Sequence, residues 1–256
     1  MKKRQFLPVS LLTVFACLIP QPSYGFVGFD LEAAAGYWWQ SPSGDVQFFG
    51  DRLDLENDLR YDTEARPFGR VKLDLPAVFP NIYLMVTPME FEEAATKAVT
   101  FNFGGQPFTA NVPFNSRVKL DQYDIAVFYS LPFLETATLG KLNADLGVDL
   151  KIIDFETEIS QATTSASESF TLPIPMLYAA LQLQPVERFG IEAEARGLGF
   201  SSANYYVDII GRAKIKLIGP LFAAGGYRYQ VIRFDVSDVL GSFEFHGPFV
   251  EVGVRF

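Results

Sequence analysis

Alternation of apolar and charged residues with a period of two recurs along most of this chain, and it constrains the fold more than any other feature. In residues 29–40 the odd positions carry Phe, Leu, Ala, Ala, Tyr and Trp, whereas the even positions begin with Asp30 and Glu32. Residues 191–196 and 207–217 repeat the pattern. A β-strand directs successive side chains to opposite faces, so each segment predicts a strand with one apolar and one charged face. The chain is therefore expected to be all-β.

Ten strands are predicted, with connectors that alternate in length. The connectors at one end are short and mostly contain proline, including 76–80, 131–140, 185–188 and 218–220. Several at the other end are longer and polar, and these are 41–64, 92–116 and 160–169. Short turns at one end, longer loops at the other and an even strand number are typical of transmembrane barrels. The strands are predicted near residues 26–40, 65–75, 81–91, 117–130, 141–157, 169–184, 189–200, 205–218, 221–235 and 245–256.

A soluble β-sandwich would show the same alternation, but three features favour a membrane. Many predicted strands exceed the five or six residues usual in globular sheets and match a tilted crossing of about 9–11 residues. Aromatic residues gather at strand ends, as at 37–39 and 205–206, where interfacial belts lie. The chain ends on an alternating segment with Phe256, similar to the C-terminal insertion signal of outer-membrane barrels. We expect a transmembrane antiparallel up-and-down β-barrel of about ten strands, with eight to twelve possible.

The first 25 residues have the organisation of a secretory signal peptide. Three basic residues precede an apolar run at 6–19, and small residues stand at −3 and −1 of a cut before Phe26. This run is shorter than the roughly 20 apolar residues of a membrane-spanning helix. The expected organisation is a cleaved signal peptide at 1–25 and a single barrel domain at 26–256, located in the outer membrane.

Cysteine content and charge exclude several classes of function. Cys17 is the only cysteine and lies in the predicted leader, so the exported chain would have no disulfide and no thiolate metal site. A lipoprotein cleavage box ending at Cys17 is an alternative, although the apolar run continues past it. The formal net charge is −9, and it becomes −12 without the three N-terminal bases. Nucleic acid is therefore not an expected partner, because phosphate binding needs a basic face.

Several short motifs follow one another along the chain in a specific order: Leu53–Leu59, Leu75-Pro76, Phe79–Ile82, Tyr123-Asp124, Phe128-Tyr129, Leu146–Val148, Gly225–Tyr229 and Phe245–Phe256. In this order they resemble the bacterial outer-membrane β-barrel family noted for a Gly-Gly pair near its C-terminus. The resemblance implies an integral outer-membrane barrel and brings no assigned activity. We interpret Gly225-Gly226 as a place where the strand bends or leaves room for an aromatic ring.

Placing Phe256 on the lipid face fixes which side chains point into the barrel. Applied strand by strand, this parity directs nearly equal numbers of acids and bases inward. Ten strands enclose little more than their own side chains, so these charges must be paired or solvated. The predicted lumen network consists of Asp30, Glu32, Arg70, Lys72, Asp149, Glu192, Glu194, Arg196, Arg212, Lys214, Arg228, Glu251 and Arg255.

Two specific ion pairs follow from this arrangement. The first and last strands close the barrel, so Arg255 is expected to pair with Asp30 or Glu32 near the periplasmic rim. Arg228 is expected to pair with Glu251.

His246 is the only histidine, which limits the catalytic chemistry available. Asp235, Asp238 or Ser242 could stand near it, as a histidine with a carboxylate or serine would in a barrel enzyme. Parity, however, directs His246 outward at the outer rim, where a solvated interfacial histidine is expected. No catalytic residue is assigned.

The segment 45–62 carries six acids against two arginines. Such a loop could hold Ca²⁺, but it lacks the spacing and the turn glycine of an EF-hand. A solvated acidic loop, or one linked to lipopolysaccharide through divalent ions, is the favoured interpretation. No metal or cofactor is assigned.

The favoured hypothesis is a monomeric, non-enzymatic barrel with a charge-filled lumen and a role in envelope structure or surface interaction. Its expected partners are outer-membrane lipid, lipopolysaccharide and the barrel-assembly machinery. The alternatives are a narrow channel or carrier for small solutes, and a barrel enzyme acting as a protease or on lipid A.

Overall fold

The computed structural model describes residues 29–76, 78–199, 204–236 and 238–256. The predicted signal peptide, its cleavage site and residues 26–28 of the first predicted strand lie outside these ranges. Within them, no helix is long and apolar enough to span a membrane. The elements are β1 (Asp30–Phe48), β2 (Arg52–Asp54), β3 (Glu64–Asp74), β4 (Asn81–Thr87), β5 (Glu90–Ala95), β6 (Phe101–Phe103), β7 (Gln106–Phe108), β8 (Phe114–Ser130), α1 (Pro132–Ala137), β9 (Leu142–Gln161), β10 (Thr164–Val186), β11 (Phe189–Gly199), β12 (Tyr205–Lys216), β13 (Leu221–Val236) and β14 (Val239–Arg255).

The long strands form a closed antiparallel barrel with ten strand positions, one of which is shared by β4 and β5. From β14 down to β8 each strand pairs with its neighbour in sequence, and β8 then pairs with β4, β4 with β3 and β3 with β1. β5 follows β4 in the sequence and pairs with the next part of β8, so the two short strands together act as one strand of the barrel. β1 pairs with β14 from Glu32 opposite Arg255 to Phe48 opposite Val239, which closes the sheet. The prediction of an up-and-down barrel of about ten strands is confirmed.

The two ends of the barrel differ. We call the end that holds Asp30 and Arg255 the terminal end, and the opposite end, which carries β2 and the β6–β7 hairpin, the loop end. Starting from the terminal end, the outward residues of β9 are apolar from Leu142 to Ile152, and Leu146 and Val148 are more than half exposed. This matches a tilted membrane crossing of about 9–11 residues. The chain is a transmembrane β-barrel of the outer-membrane type.

Towards the loop end the polarity of the two strand faces reverses. On β9 the outward positions become Asp154, Glu156 and Glu158, while the inward Phe155 is buried. β8 reverses at the same level, with Asp121 opposite Asp154. Because a charged outer face belongs in water, the strands leave the lipid at this level and continue beyond it as a wall with an apolar interior.

Several sequence predictions about connectors and strands are wrong. β1 continues to Phe48, inside the predicted loop at 41–64, and the last strand begins at Val239 rather than at residue 245. The predicted loop at 160–169 is a tight turn, because β9 and β10 stay paired up to Gln161 opposite Thr164. The predicted short turn at 131–140 contains α1. The predicted strand at 81–91 is interrupted at Pro88, which has no N–H for the ladder.

Candidate functional site

The lumen is filled by two main layers of side chains, one inside the lipid band and one beyond it, with a thin layer of amides between them. Ten of the thirteen predicted lumen charges are buried in the first, which we call the charged layer. Lys214 is half-buried, and Asp30 and Arg255 lie at the rim of the terminal end. Asp124, Asp145, Lys151 and Asp208 are also buried in the charged layer.

Arg70 occupies the part of the charged layer nearest the terminal end. Its guanidinium donates two hydrogen bonds to Glu251, Nε to Oε2 at 3.0 Å and Nη2 to Oε1 at 2.7 Å. The same Nη2 lies 2.7 Å from Oε1 of Glu32. The Arg70 and Glu251 side chains have no solvent exposure, so each depends on the other for compensation of its charge.

Two bases of β12, Lys214 and Arg212, extend the network to the acids of β11. Lys214 Nζ lies 2.6 Å from carboxylate oxygens of both Glu32 and Glu192. Arg212 Nη1 lies 2.8 Å from Glu194 and 3.4 Å from Glu192. Glu32 of β1 and Glu192 of β11 therefore share Lys214 of β12. The charged layer thus connects strands that are not neighbours in the sheet.

Arg196 is held by both charge and aromatic contacts. Its Nη2 donates to Oε2 of Glu194 at 2.7 Å, and its Nε lies 3.5 Å from Asp149. The guanidinium carbon is 4.8 Å from the ring centroid of Tyr83 and 5.1 Å from that of Tyr178. Cation–π attraction of this kind is strengthened where water is excluded.

The prediction that Arg228 pairs with Glu251 is wrong. Arg228 donates to Asp208 through Nε at 3.0 Å and Nη2 at 2.7 Å, and to the Thr87 hydroxyl at 3.0 Å. Ile210 stands opposite Arg228, which makes Asp208 a diagonal neighbour on the same inner face. The guanidinium also lies over the Trp38 ring at 4.7 Å.

The predicted rim pair is present. Arg255 Nη2 lies 2.8 Å from Oδ2 of Asp30, and Nε donates to both carboxylate oxygens at 3.0 Å. Of the two carboxylates that the sequence left open, Asp30 is therefore the partner, while Glu32 binds Arg70 and Lys214.

A layer of amides closes the charged layer on the side of the loop end. Gln122 Nε2 donates to Gln230 at 2.8 Å, and Lys151 Nζ donates to Gln122 Oε1 at 3.0 Å. Tyr206 donates its hydroxyl to the same Gln122 oxygen at 3.2 Å. Lys151 also pairs with Asp124 at 2.7 Å, so this buried lysine is compensated.

Beyond the amides the lumen is apolar, and sequence reasoning missed this second layer. We call it the phenylalanine layer: Phe91, Phe155, Phe234, Phe243 and Phe245, each at most 4% exposed. Phe91 stacks on Phe245 with centroids 5.6 Å apart, and Phe155 meets Phe234 edge to face at 5.3 Å. The signal was present in the sequence, since the chain has 25 phenylalanines and the alternation inverts in β9.

Loop residues cover the phenylalanine layer at the loop end. Leu53 and Leu55 from the segment around β2, and Phe103 and Phe108 from the β6–β7 hairpin, are fully buried. Tyr61 is buried with them, and burial raises the pKa of its hydroxyl well above the ordinary value. These segments form a cap that seals the barrel.

The cavity found at the charged layer is small. The cavity bounded by Trp38, Arg212, Arg228 and Phe249, among others, measures about 10 Å³. A single water needs roughly 10–15 Å³ on this measure. The space is therefore at the limit for one water molecule.

His246 lies on the outer face, as its parity predicts. Its Nδ1 is 2.9 Å from the Tyr227 hydroxyl at an exposed position. Among the described residues, no hydrogen bond or ion pair joins it to the candidate partners Asp235, Asp238 or Ser242.

Acids of the 45–62 loop form hydrogen bonds and ion pairs with neighbouring residues at the loop end. Asp54 accepts from the backbone N–H groups of Glu56 and Asn57, at 3.0 and 2.7 Å. Asp58 pairs with Lys97 at 2.5 Å. In the described part of the chain, no three His, Cys, Asp or Glu residues are arranged to hold a metal ion.

The interpretation that the glycine pair leaves room for an aromatic ring is confirmed at Gly226 only. A Cβ at Gly226 would stand 2.0 Å from the backbone oxygen of Gly211 and 2.7 Å from the Phe249 ring. Glycine is required there because the aromatic ring and the neighbouring backbone occupy the space. At Gly225 the nearest atom would be 3.6 Å away, an ordinary contact.

No protein-family model matches the sequence, and no curated protein matches it. Among solved structures, the chain is similar to Ail, the attachment invasion locus protein of Yersinia pestis, in complex with the heparin analogue sucrose octasulfate. The identity is 13%, with 90% of this chain and 99% of Ail covered and a TM-score of 0.38.

Two further solved structures show a comparable similarity. The translocator domain of the autotransporter NalP from Neisseria meningitidis is 12% identical, with 91% and 90% of the two chains covered and a TM-score of 0.45. The outer membrane protease OmpT from Escherichia coli is 9% identical, with 91% of this chain and 99% of OmpT covered and a TM-score of 0.47. All three similarities are distant, and the fold is assigned from the strand pairing and the outward apolar band.

Proposed function

We propose that the protein is a monomeric, non-enzymatic outer-membrane barrel that does not conduct, exported through a cleaved signal peptide. It serves in envelope structure or surface interaction, with lipid and lipopolysaccharide around its wall and the barrel-assembly machinery as the route of insertion. The observation that carries this proposal is the filled lumen. The charged layer, the amide layer and the phenylalanine layer follow one another along the barrel axis, and the cap covers the last of them.

The wall beyond the lipid band supports a role at the surface. Its outward charges interact with one another, since Arg117 lies 2.6 Å from Glu90 and 3.2 Å from Glu156. The hydrogen bond to Glu90 raises the pKa of Arg117. Such a surface presents fixed charges to lipopolysaccharide or to a macromolecule outside the cell.

The channel alternative predicts ionic conductance, so conductance separates it from the proposal. We expect the purified protein, reconstituted in planar bilayers, to give no steady current steps, because the three layers of side chains fill the described part of the lumen. A general porin inserted in the same bilayers is the positive control. Reproducible, ion-selective steps that scale with the amount of folded protein would contradict the proposal.

A further inference from the structure

Among the described residues, the pairing between β10 and β11 stops near the outer limit of the lipid band. β10 pairs with β11 only from Leu177 opposite Gly197 to Val186 opposite Phe189. Its other edge pairs with β9 along the whole length to Thr164. Among the described residues, the β10 segment 164–176 therefore has no strand partner on its β11 side.

Two prolines keep this edge of β10 open. Pro173 and Pro175 stand opposite Ile152 and Leu150 in an unbroken β9–β10 register. In an antiparallel ladder, residues of one parity donate to one neighbour and those of the other parity to the opposite neighbour. Because the β9 ladder continues through both prolines, the N–H groups they lack belong to the edge facing away from β9. A strand added there would lose two donors.

A cavity of about 260 Å³ lies at this interruption. We call it the notch, and it is lined mainly by apolar side chains, among them Leu172, Ile174, Leu198, Tyr206, Phe234 and Val236. Leu172, Ile174, Leu198 and Val236 also pack against the buried apolar core. The notch therefore leads from the outer surface of the barrel into its apolar interior.

The notch lies at the height of the outer lipid interface. Pro173 is opposite Ile152, the last apolar outward residue of β9 before the charges begin. A chain of apolar groups could thus enter sideways from the lipid, while a polar group attached to it remained at the interface.

One cation stands at the mouth of the notch. Arg233 lines the cavity, and its guanidinium carbon lies 5.0 Å from the ring centroid of Tyr205. Arg233 is exposed and forms no ion pair with any acid in the described ranges. The arrangement offers a positive charge at the interface beside an apolar cavity, which is complementary to an anionic amphiphile.

We propose that the notch binds a single acyl chain of an anionic amphiphile, with the chain in the cavity and its carboxylate or phosphate at Arg233. The volume is slightly below the roughly 300–1,000 Å³ of typical small-molecule pockets, which suits one chain rather than a whole multi-chain lipid. This goes beyond the envelope role proposed above. Both a free fatty acid and an outer-leaflet lipid carry this chemistry.

Fluorescence quenching by a brominated fatty acid, 11-bromoundecanoate, tests the proposal. The protein with Tyr205→Trp is reconstituted in phosphatidylcholine vesicles, and its quenching is compared with that of Tyr123→Trp after subtraction of the signal of the unsubstituted protein, because Trp38 and Trp39 also fluoresce. Tyr123 is the last outward aromatic of β8 before Asp121, so the control reports simple partition into lipid at the same height. We expect saturable quenching only with the tryptophan at position 205.

Two second-site variants, made in the Tyr205→Trp chain, test binding of the acyl chain and binding of the anionic group separately. Ile174→Phe reduces the cavity without adding a second tryptophan and should abolish the saturable component. Arg233→Gln should weaken binding by about tenfold, as expected for loss of a hydrogen bond to a charged group. Lys119→Gln removes another outward cation beyond the lipid band and should have no effect. Heat-modifiable gel migration verifies that each variant folds as a barrel.

Lipid A added to the vesicles distinguishes the two sources. Displacement of the bromo acid would identify outer-leaflet lipid as the occupant, and no displacement would identify a free fatty acid. Quenching at position 205 that is unsaturable and equal to that at position 123 would overturn the proposal. So would binding that survives Ile174→Phe, and binding unaffected by Arg233→Gln would overturn the anionic assignment.

Discussion

Replacing Arg70 by methionine is expected to lower the free energy of unfolding by about 3–5 kcal/mol, the usual effect of removing one partner from a buried ion pair. Arg70 compensates Glu251 and Glu32, and both carboxylates would remain buried after the change. Methionine keeps most of the volume, so the loss is electrostatic rather than a cavity effect. Urea unfolding of the protein in lipid vesicles measures the difference.

Arg255→Met is the matched control, because it removes the same side chain from an ion pair at the rim. The Arg255 and Asp30 side chains are 50% and 36% exposed, so the loss should be under about 1 kcal/mol. Adding Glu251→Leu to Arg70→Met should recover part of the loss, because one stranded charge disappears. Equal effects at Arg70 and Arg255 would show that the charged layer is not dry.

Replacing Val148 by arginine is expected to destabilise the barrel by about 2–4 kcal/mol, the cost of this residue on the lipid face near the bilayer midplane. Val148 is 59% exposed and points outward from β9 in the middle of its apolar stretch. The same unfolding measurement in vesicles applies.

Glu158→Arg provides the comparison, since it places arginine on the same face of the same strand beyond the polarity reversal. There water reaches the half-buried side chain, and Arg117 stands opposite it on β8, so repulsion between the two arginines should cost less than about 1 kcal/mol. A large loss at position 158, or none at position 148, would mean that the lipid boundary has been placed wrongly.

The parts of the structure that could be predicted from the sequence are those governed by local periodicity. Strand parity depends only on which residues alternate, and Arg70, Glu192 and Arg196, which it directs inward, are buried in the structure. Ion-pair partners depend on register, which is set by the length and geometry of each turn. Arg228 illustrates the difference, because Gly247 rather than Glu251 stands opposite it on β14.

The phenylalanine layer could have been predicted, and the notch could not. In β9, apolar residues occupy even positions up to Ile152 and odd positions at Ile153 and Phe155, so the inversion is visible in the sequence. Interpreting both segments as one membrane crossing concealed it. The notch depends on where β10 and β11 separate, which is a property of the three-dimensional pairing. Pro173 and Pro175 alone do not reveal which edge they leave open.

The level at which β9 leaves the lipid can be measured directly by cysteine labelling. Cys17 is the only cysteine in the sequence and lies in the predicted leader, so the exported chain is a cysteine-free background for single cysteines at the outward positions of β9. With a membrane-impermeant maleimide applied to intact cells, we expect no labelling at Val148, Leu150 and Ile152, and strong labelling at Asp154 and Glu158. Uniform labelling along the strand, or labelling at Val148 or Leu150, would contradict the conclusion that lipid covers the outer face of β9 up to Ile152.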